Sequence, residues 1–217
     1  MYDALEVARH IVNYENSRNN LISGSKVHKL MYMIQSFFLI TDNGEPCFDS
    51  RITAMANGPV IVKLNGRISS FDPYPIWRIK TYLEYDMDDL YTSVCRKEFK
   101  DDIISEYDKK KNEQIVDSFT EYTDWDLYKL ITEQTPWISA YCNGLCMDIT
   151  NESLIEYFSW WIIMKKTQSG KYPDFFTDLK KCIKKRALSI QDSIELWWRW
   201  WELNPCPEKP LQKFLRI

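Results

Sequence analysis

The stretch from Ile22 to Ile61 reads ISGSKVHKLMYMIQSFFLITDNGEPCFDSRITAMANGPVI, and its first half decides the fold class. Val27, Leu30, Met31, Ile34, Phe37 and Phe38 fall at i, i+3, i+4, i+7, i+10 and i+11, one apolar stripe on a 3.6-residue period. That spacing predicts a buried helix, with Ser23 or Ser25 as the residue that caps its start. Asp42-Asn43-Gly44 predicts its end, because Asn and Gly tolerate the left-handed backbone of a helix C-cap. A short extended passage, Phe48 to Met55, is expected next, closing at Asn57-Gly58-Pro59.

Working outward, a first helix is predicted from Asp3 to about Asn16, with Ala4, Leu5, Ala8, Ile11 and Val12 turned inward. Val60 to Leu64 reads as either a strand or a helix start. Residues 76 to 108 give no clean period. From Asn112 the helical pattern returns: Ile115, Val116, Phe119 and Tyr122 form one stripe, and Asp124 is read as the cap of a short helix carrying Leu127, Leu130 and Ile131. Thr135-Pro136-Trp137 is read as an N-cap with Pro at the first helical position, in a helix stopping at Asn143-Gly144. Thr150 or Asn151 caps the next, and further helices are expected from Asp174 to Arg186 and from Ser189.

The expected fold is mainly α: a single compact helical domain of about six to eight helices with at most a short β-hairpin, plus a helical C-terminal extension. Residues 1–158 form the domain and 159–217 a Trp-rich basic extension packed on it.

Composition narrows function. The 217 residues are 45% hydrophobic and 15% aromatic, which excludes a disordered chain. The N-terminus carries acidic residues and no apolar run of signal length, so no export is expected. The most apolar run, Ser159 to Met164, is stopped by Lys165-Lys166, short of the roughly 18 to 20 residues a membrane span needs. A cytoplasmic protein with its 6 Cys reduced and no membrane association is expected. The net charge of −3 divides unevenly: residues 160–217 hold 12 Lys and Arg against 6 Asp and Glu, a balance of +6 that leaves −9 for the remainder.

Catalytic chemistry finds little material. There are 2 His, His10 beside the stripe of the first helix and His28 within the second, and no HExxH. No Ser or Cys has a His at a recognisable spacing. Cys142 and Cys146 have three residues between them rather than two, with no second pair, so they read as small buried hydrophobes rather than zinc ligands. The glycines stand singly, so no phosphate loop is built, and Asp86, Asp88 and Asp89 read as a solvated acidic face. No catalytic residue, metal or cofactor is expected. The basic cluster Lys180, Lys181, Lys184, Lys185 and Arg186 is set against a pI near 5.5, which disfavours nucleic acid.

Several separate motifs carry a resemblance. Lys26-Val27-His28-Lys29-Leu30-Met31-Tyr32, Gln35, Gly44-Glu45-Pro46-Cys47-Phe48, Ile52-Thr53-Ala54 and Gly58-Pro59-Val60 resemble, in order and spacing, the Panacea domain of SocA-like and GepA-like prophage-associated antitoxins. Leu127 to Trp137 resembles the family's second signature, a Leu-Thr-His stretch closing on Pro-Trp. Here the His position is Glu133 and the spacing to Pro-Trp is one residue shorter. The resemblance covers roughly residues 1 to 158 and favours a helix over Val60 to Leu64. It implies an antitoxin that is not an enzyme and that binds a cognate protein toxin directly. In some members the antitoxin acts as an adaptor that delivers the toxin to a protease, so a protease or chaperone is a second partner. A different class, a phage-encoded enzyme or nucleic-acid-binding regulator, is the alternative.

Two partner surfaces suggest themselves. In Trp197-Trp198-Arg199-Trp200-Trp201 adjacent indoles cannot all face one core, so Trp197, Trp198 and Trp200 are expected to meet a partner, the alternative being a helix buried on two sides within the monomer or a homodimer. Lys26, Lys29 and Asn57, in the stretch quoted first, are the second location.

Overall fold

The computed structural model describes residues 1–68, 74–77, 79–86, 93–98 and 103–159. The expected helices beyond Asp174, together with Trp197, Trp198, Trp200 and the Asp88-Asp89 pair, lie outside the described residues. The chain divides into two units, Met1–Tyr172 and Pro173–Ile217, and everything described belongs to the first.

Helix α1, Ala4–Ser17, starts at Asp3, whose carboxylate accepts from the Leu5 amide at 2.7 Å. Its five predicted inner residues are all buried. Helix α2, Gly24–Thr41, starts at Ser23, whose hydroxyl accepts from the Lys26 amide at 3.1 Å. It ends at Asp42, with Asn43 (φ 56) and Gly44 (φ 92) turning the chain in the left-handed region. None of the six stripe residues is more than 3% exposed. Burial goes far beyond the stripe: 14 of the 18 residues of α2 are buried, including Tyr32, Gln35 and Ser36 on its other sides. A helix buried nearly all round must be enclosed, and α1 and three later elements pack against it.

After Gly44 the chain is held by Gln35, whose side-chain oxygen accepts from the amides of Cys47 (3.0 Å) and Phe48 (3.2 Å). Strand β1, Ile52–Met55, pairs antiparallel with β2, Gly58–Ile61, with Ile52 opposite Ile61 and Met55 opposite Gly58. Val60 and Ile61 are therefore strand, and only a single 3-10 turn, Val62–Leu64, follows. The reason is that the backbone is already committed: the Ile61 amide donates to His28 Nδ1 at 3.0 Å and the Val62 amide to the Arg51 carbonyl at 3.0 Å.

The stretch without a clean period holds a second hairpin, β3 (Thr81–Asp86) with β4 (Ser93–Glu98), paired from Thr81–Glu98 to Asp86–Ser93. Helix α3, Glu106–Ser118, is capped by Ser105 and starts about two and a half turns before the stripe at Ile115 becomes legible. Helix α4, Asp124–Thr132, is capped by Thr123 rather than Asp124: Thr123 and Asp126 form a reciprocal capping box. Helix α5, Thr135–Ala140, has Gln134 at its N-cap and Pro136 in its first turn; it ends before a 3-10 turn, Cys142–Gly144. Strand β5, Asp148–Ile149, joins the free side of β1, giving the order β2-β1-β5. Residues 151–159 form a sixth helix, begun by Thr150, whose hydroxyl accepts from the Ser153 amide at 3.2 Å.

The protein is mainly helical, with two short antiparallel sheets where one hairpin was expected. Among the described residues no helix is long and apolar enough to cross a membrane.

Candidate functional site

Lys29 sits where α2, α4 and the β1–β2 turn converge. Its side chain is 3% exposed, and Nζ lies 2.8 Å from Asp124 Oδ1 and 2.6 Å from Ser25 Oγ. A buried ammonium is tolerable only with such partners, and Asp124, itself 43% exposed, keeps part of its hydration. Gly58 lies over the lysine stem. Its φ is +112°, and a Cβ there would lie 3.3 Å from Lys29 Cε and 3.8 Å from Tyr128 Cδ2. A side chain would be strained by the backbone and crowded by the lysine.

Lys26, one turn earlier, is half-buried and donates from Nζ to the Tyr122 carbonyl at 2.7 Å, tying α2 to the turn between α3 and α4. Burial pulls its pKa down, opposed by the carboxylates of Glu15, Asp124 and Asp126. The structure thus brings Lys26 and Lys29 together but directs both ammoniums into the fold. Asn57, at the turn tip, is exposed.

Beside that tip is a feature not singled out in the sequence. Trp125 is 60% exposed, stacked on Tyr128 with ring centroids 5.0 Å apart and planes 13° from parallel. Lys129 Nζ lies 5.3 Å from the Trp125 ring centroid. The available signal was the phase of α4: with Leu127 and Ile131 buried at 0%, Trp125, Tyr128 and Lys129 fall on the other side. An aromatic residue on the polar side of a short helix is what the stripe argument passes over.

A second polar link lies deeper. Tyr32 is fully buried and donates its hydroxyl to Gln134 Oε1 at 2.7 Å. Burial raises its pKa well above 10.0, which keeps the phenol protonated and donating. Gln134 is 3% exposed, whereas Glu133, which holds the position of the family's His in the resemblance, is exposed.

The histidines take structural places. His28 is buried and accepts from the Ile61 amide. His10 lies between α1 and α3, with Nε2 3.4 Å from Glu113 Oε1 and no hydrogen bond to that nitrogen. The cysteines correct the expectation: Cys142 and Cys146 are exposed, because α5 ends at Ala140 and leaves them on a surface loop, while Cys47 is buried and its thiol pKa is raised by desolvation. Among the described residues no three His, Cys, Asp or Glu are grouped to hold a metal ion. An open cleft of about 430 Å³ lies between Phe48, Arg51 and Asn151. Along it Arg51 pairs with Asp148 at 3.2 Å, and the Gln35 oxygen holds the Phe48 amide at 3.2 Å.

Residues 27–138 match the family model described as antitoxin SocA-like, Panacea domain. The match runs from the first turns of α2 into α5 and so contains Lys29, Gly58, Asp124, Tyr32 and Gln134, the residues that lock these elements together. It spans half of the chain, and the protein belongs to the SocA-like Panacea antitoxin family. Neither curated proteins nor solved structures give a match.

Proposed function

We propose that the protein neutralises a cognate protein toxin by binding it directly, in the cytoplasm. The observation that carries this reading is the family match over residues 27–138. The geometry agrees with a binding role: Lys26, Lys29, His28, Tyr32 and Gln35 all have partners within the fold. They build a scaffold and leave an aromatic surface beside it. The Trp-rich stretch with Trp197, Trp198 and Trp200 stays a proposed second contact on its sequence alone.

The test is co-expression. The product of the neighbouring reading frame, expressed alone, is expected to arrest growth; with this protein growth returns, and the purified pair elutes together on size exclusion. Arrest unrelieved by co-expression would sink the proposal.

A further inference from the structure

We infer that the toxin docks on the surface made by Trp125, Tyr128 and the Ala56–Asn57 turn, and that the docking element is basic, with an arginine or lysine side chain laid on Trp125. This rests on the antitoxin reading and says where and with what chemistry it works.

The first argument is preorganisation. A Trp that is 60% exposed presents a large apolar area, and such residues anchor interfaces when little order remains to be imposed on binding. Trp125 is already held. Its ring stacks on Tyr128, Tyr128 lies against Gly58, and the start of α4 is fixed by the Thr123–Asp126 capping box and the Lys29–Asp124 bridge. Asn57 at the turn tip adds an exposed amide with both donor and acceptor groups. The exposed residues around the end of α5, Ile138, Leu145 and Met147, are aliphatic side chains with more rotors to freeze than a stacked indole.

The second argument is charge. Glu121, Asp126 and Glu133 are exposed in and around α4, and Asp124 is partly exposed. The Asp126 carboxylate accepts from Thr123 at 3.0 Å (amide) and 2.6 Å (hydroxyl), which favours its ionised form. Against them Lys129 is the exposed cation of α4, since Lys26 and Lys29 turn inward. Lys129 also marks the chemistry: its ammonium already lies over the Trp125 ring at 5.3 Å. An incoming guanidinium would take the same place, with its planar face on the indole and its N–H groups toward the carboxylates. Negative flanks would meanwhile speed encounter with a positive surface.

The experiment measures the dissociation constant and association rate of the purified protein with the toxin encoded beside it, at low and high salt. The variants are Trp125→Ala and the pair Glu121→Lys/Glu133→Lys, all at exposed positions, with thermal melts to confirm folding. Trp125→Ala is expected to weaken binding about 30-fold or more, the threshold for an interface anchor. The charge pair is expected to slow association and to flatten the salt dependence seen for the parent protein. If the parent binds and both variants match it within about twofold, the docking surface is elsewhere. A loss with Trp125→Ala but no change of salt dependence overturns the basic partner. Failure of the parent itself to bind or neutralise the toxin overturns the antitoxin reading instead.

Discussion

Tyr32 brings a hydroxyl into the core, where it is tolerated because Gln134 accepts from it at 2.7 Å. Tyr32→Phe should therefore cost about 1 to 3 kcal/mol, the penalty of leaving the buried Gln134 oxygen without a donor. The double variant Tyr32→Phe/Gln134→Leu should cost less than the two single changes together, since no polar atom is then stranded. Urea unfolding of the three variants measures this, and strict additivity would argue against the pairing. Gly58 makes the complementary case. At φ +112° and 3.3 Å from Lys29 Cε, Gly58→Ala should lose about 1 to 3 kcal/mol in the same assay. The two residues differ in legibility. Gly58 announces itself in Asn57-Gly58-Pro59, because only a few residues permit such a turn. Gln134 does not, because its role depends on a tyrosine 102 positions away in the chain, and no local period reports that.

At the scale of elements, α2 was legible because six apolar side chains on one helical period have one simple explanation. Leu30 and Ile34 are both 0% exposed, so Leu30→Ala and Ile34→Ala should each destabilise by about 2 to 5 kcal/mol, from lost burial plus the cavity left behind. Thermal or urea melts check this, and values within about 0.5 kcal/mol of the parent would contradict the packing. Apart from that of α3, which the stripe at Ile115 did not report, helix starts were legible to within a residue. Thr123 and Asp124 are both good caps, and Thr123 prevails because Asp126 stands three residues later and returns the bond to the Thr123 amide at 3.0 Å. The strands were the harder part. β2 ends where His28 reaches across from α2 to take the Ile61 amide, a contact 33 residues apart in sequence, and β3–β4 occupies a stretch whose mixture of Tyr and acidic residues fits neither period well. The candidate site shows the same division: its anchoring lysines stood out in the motif, whereas Trp125 emerged only when the buried side of α4 was known.

Over the whole molecule the pH dependence of stability joins two buried groups that act in opposite directions. His10 has its pKa lowered from 6.5, first by burial and then by the neighbouring charges of Lys109 and Arg9, against a hydrogen bond that the imidazole donates to the Lys109 backbone and the charge of Glu106. The unfolded chain then takes up the proton first as pH falls. The His10 contribution to stability is present above about pH 6.5 and is lost as pH falls through the lower folded value. Glu15 is 1% exposed, with Oε1 lacking a hydrogen bond, and burial raises its pKa from 4.5 despite the Asn20 amide on Oε2 and the charges of Lys26 and Arg18. Its protonated form is favoured in the fold, so its contribution is present below about pH 4.5 and is lost as pH rises through the raised folded value. Between those limits the two oppose each other in the parent protein. Variants separate them. Going from about pH 7.5 to about pH 5, His10→Gln should lose less stability than the parent, and Glu15→Gln should lose more, because it no longer gains from protonation. Melting temperatures of the three proteins across that range make the comparison, and parallel curves would mean that neither group titrates differently in the folded and unfolded chain.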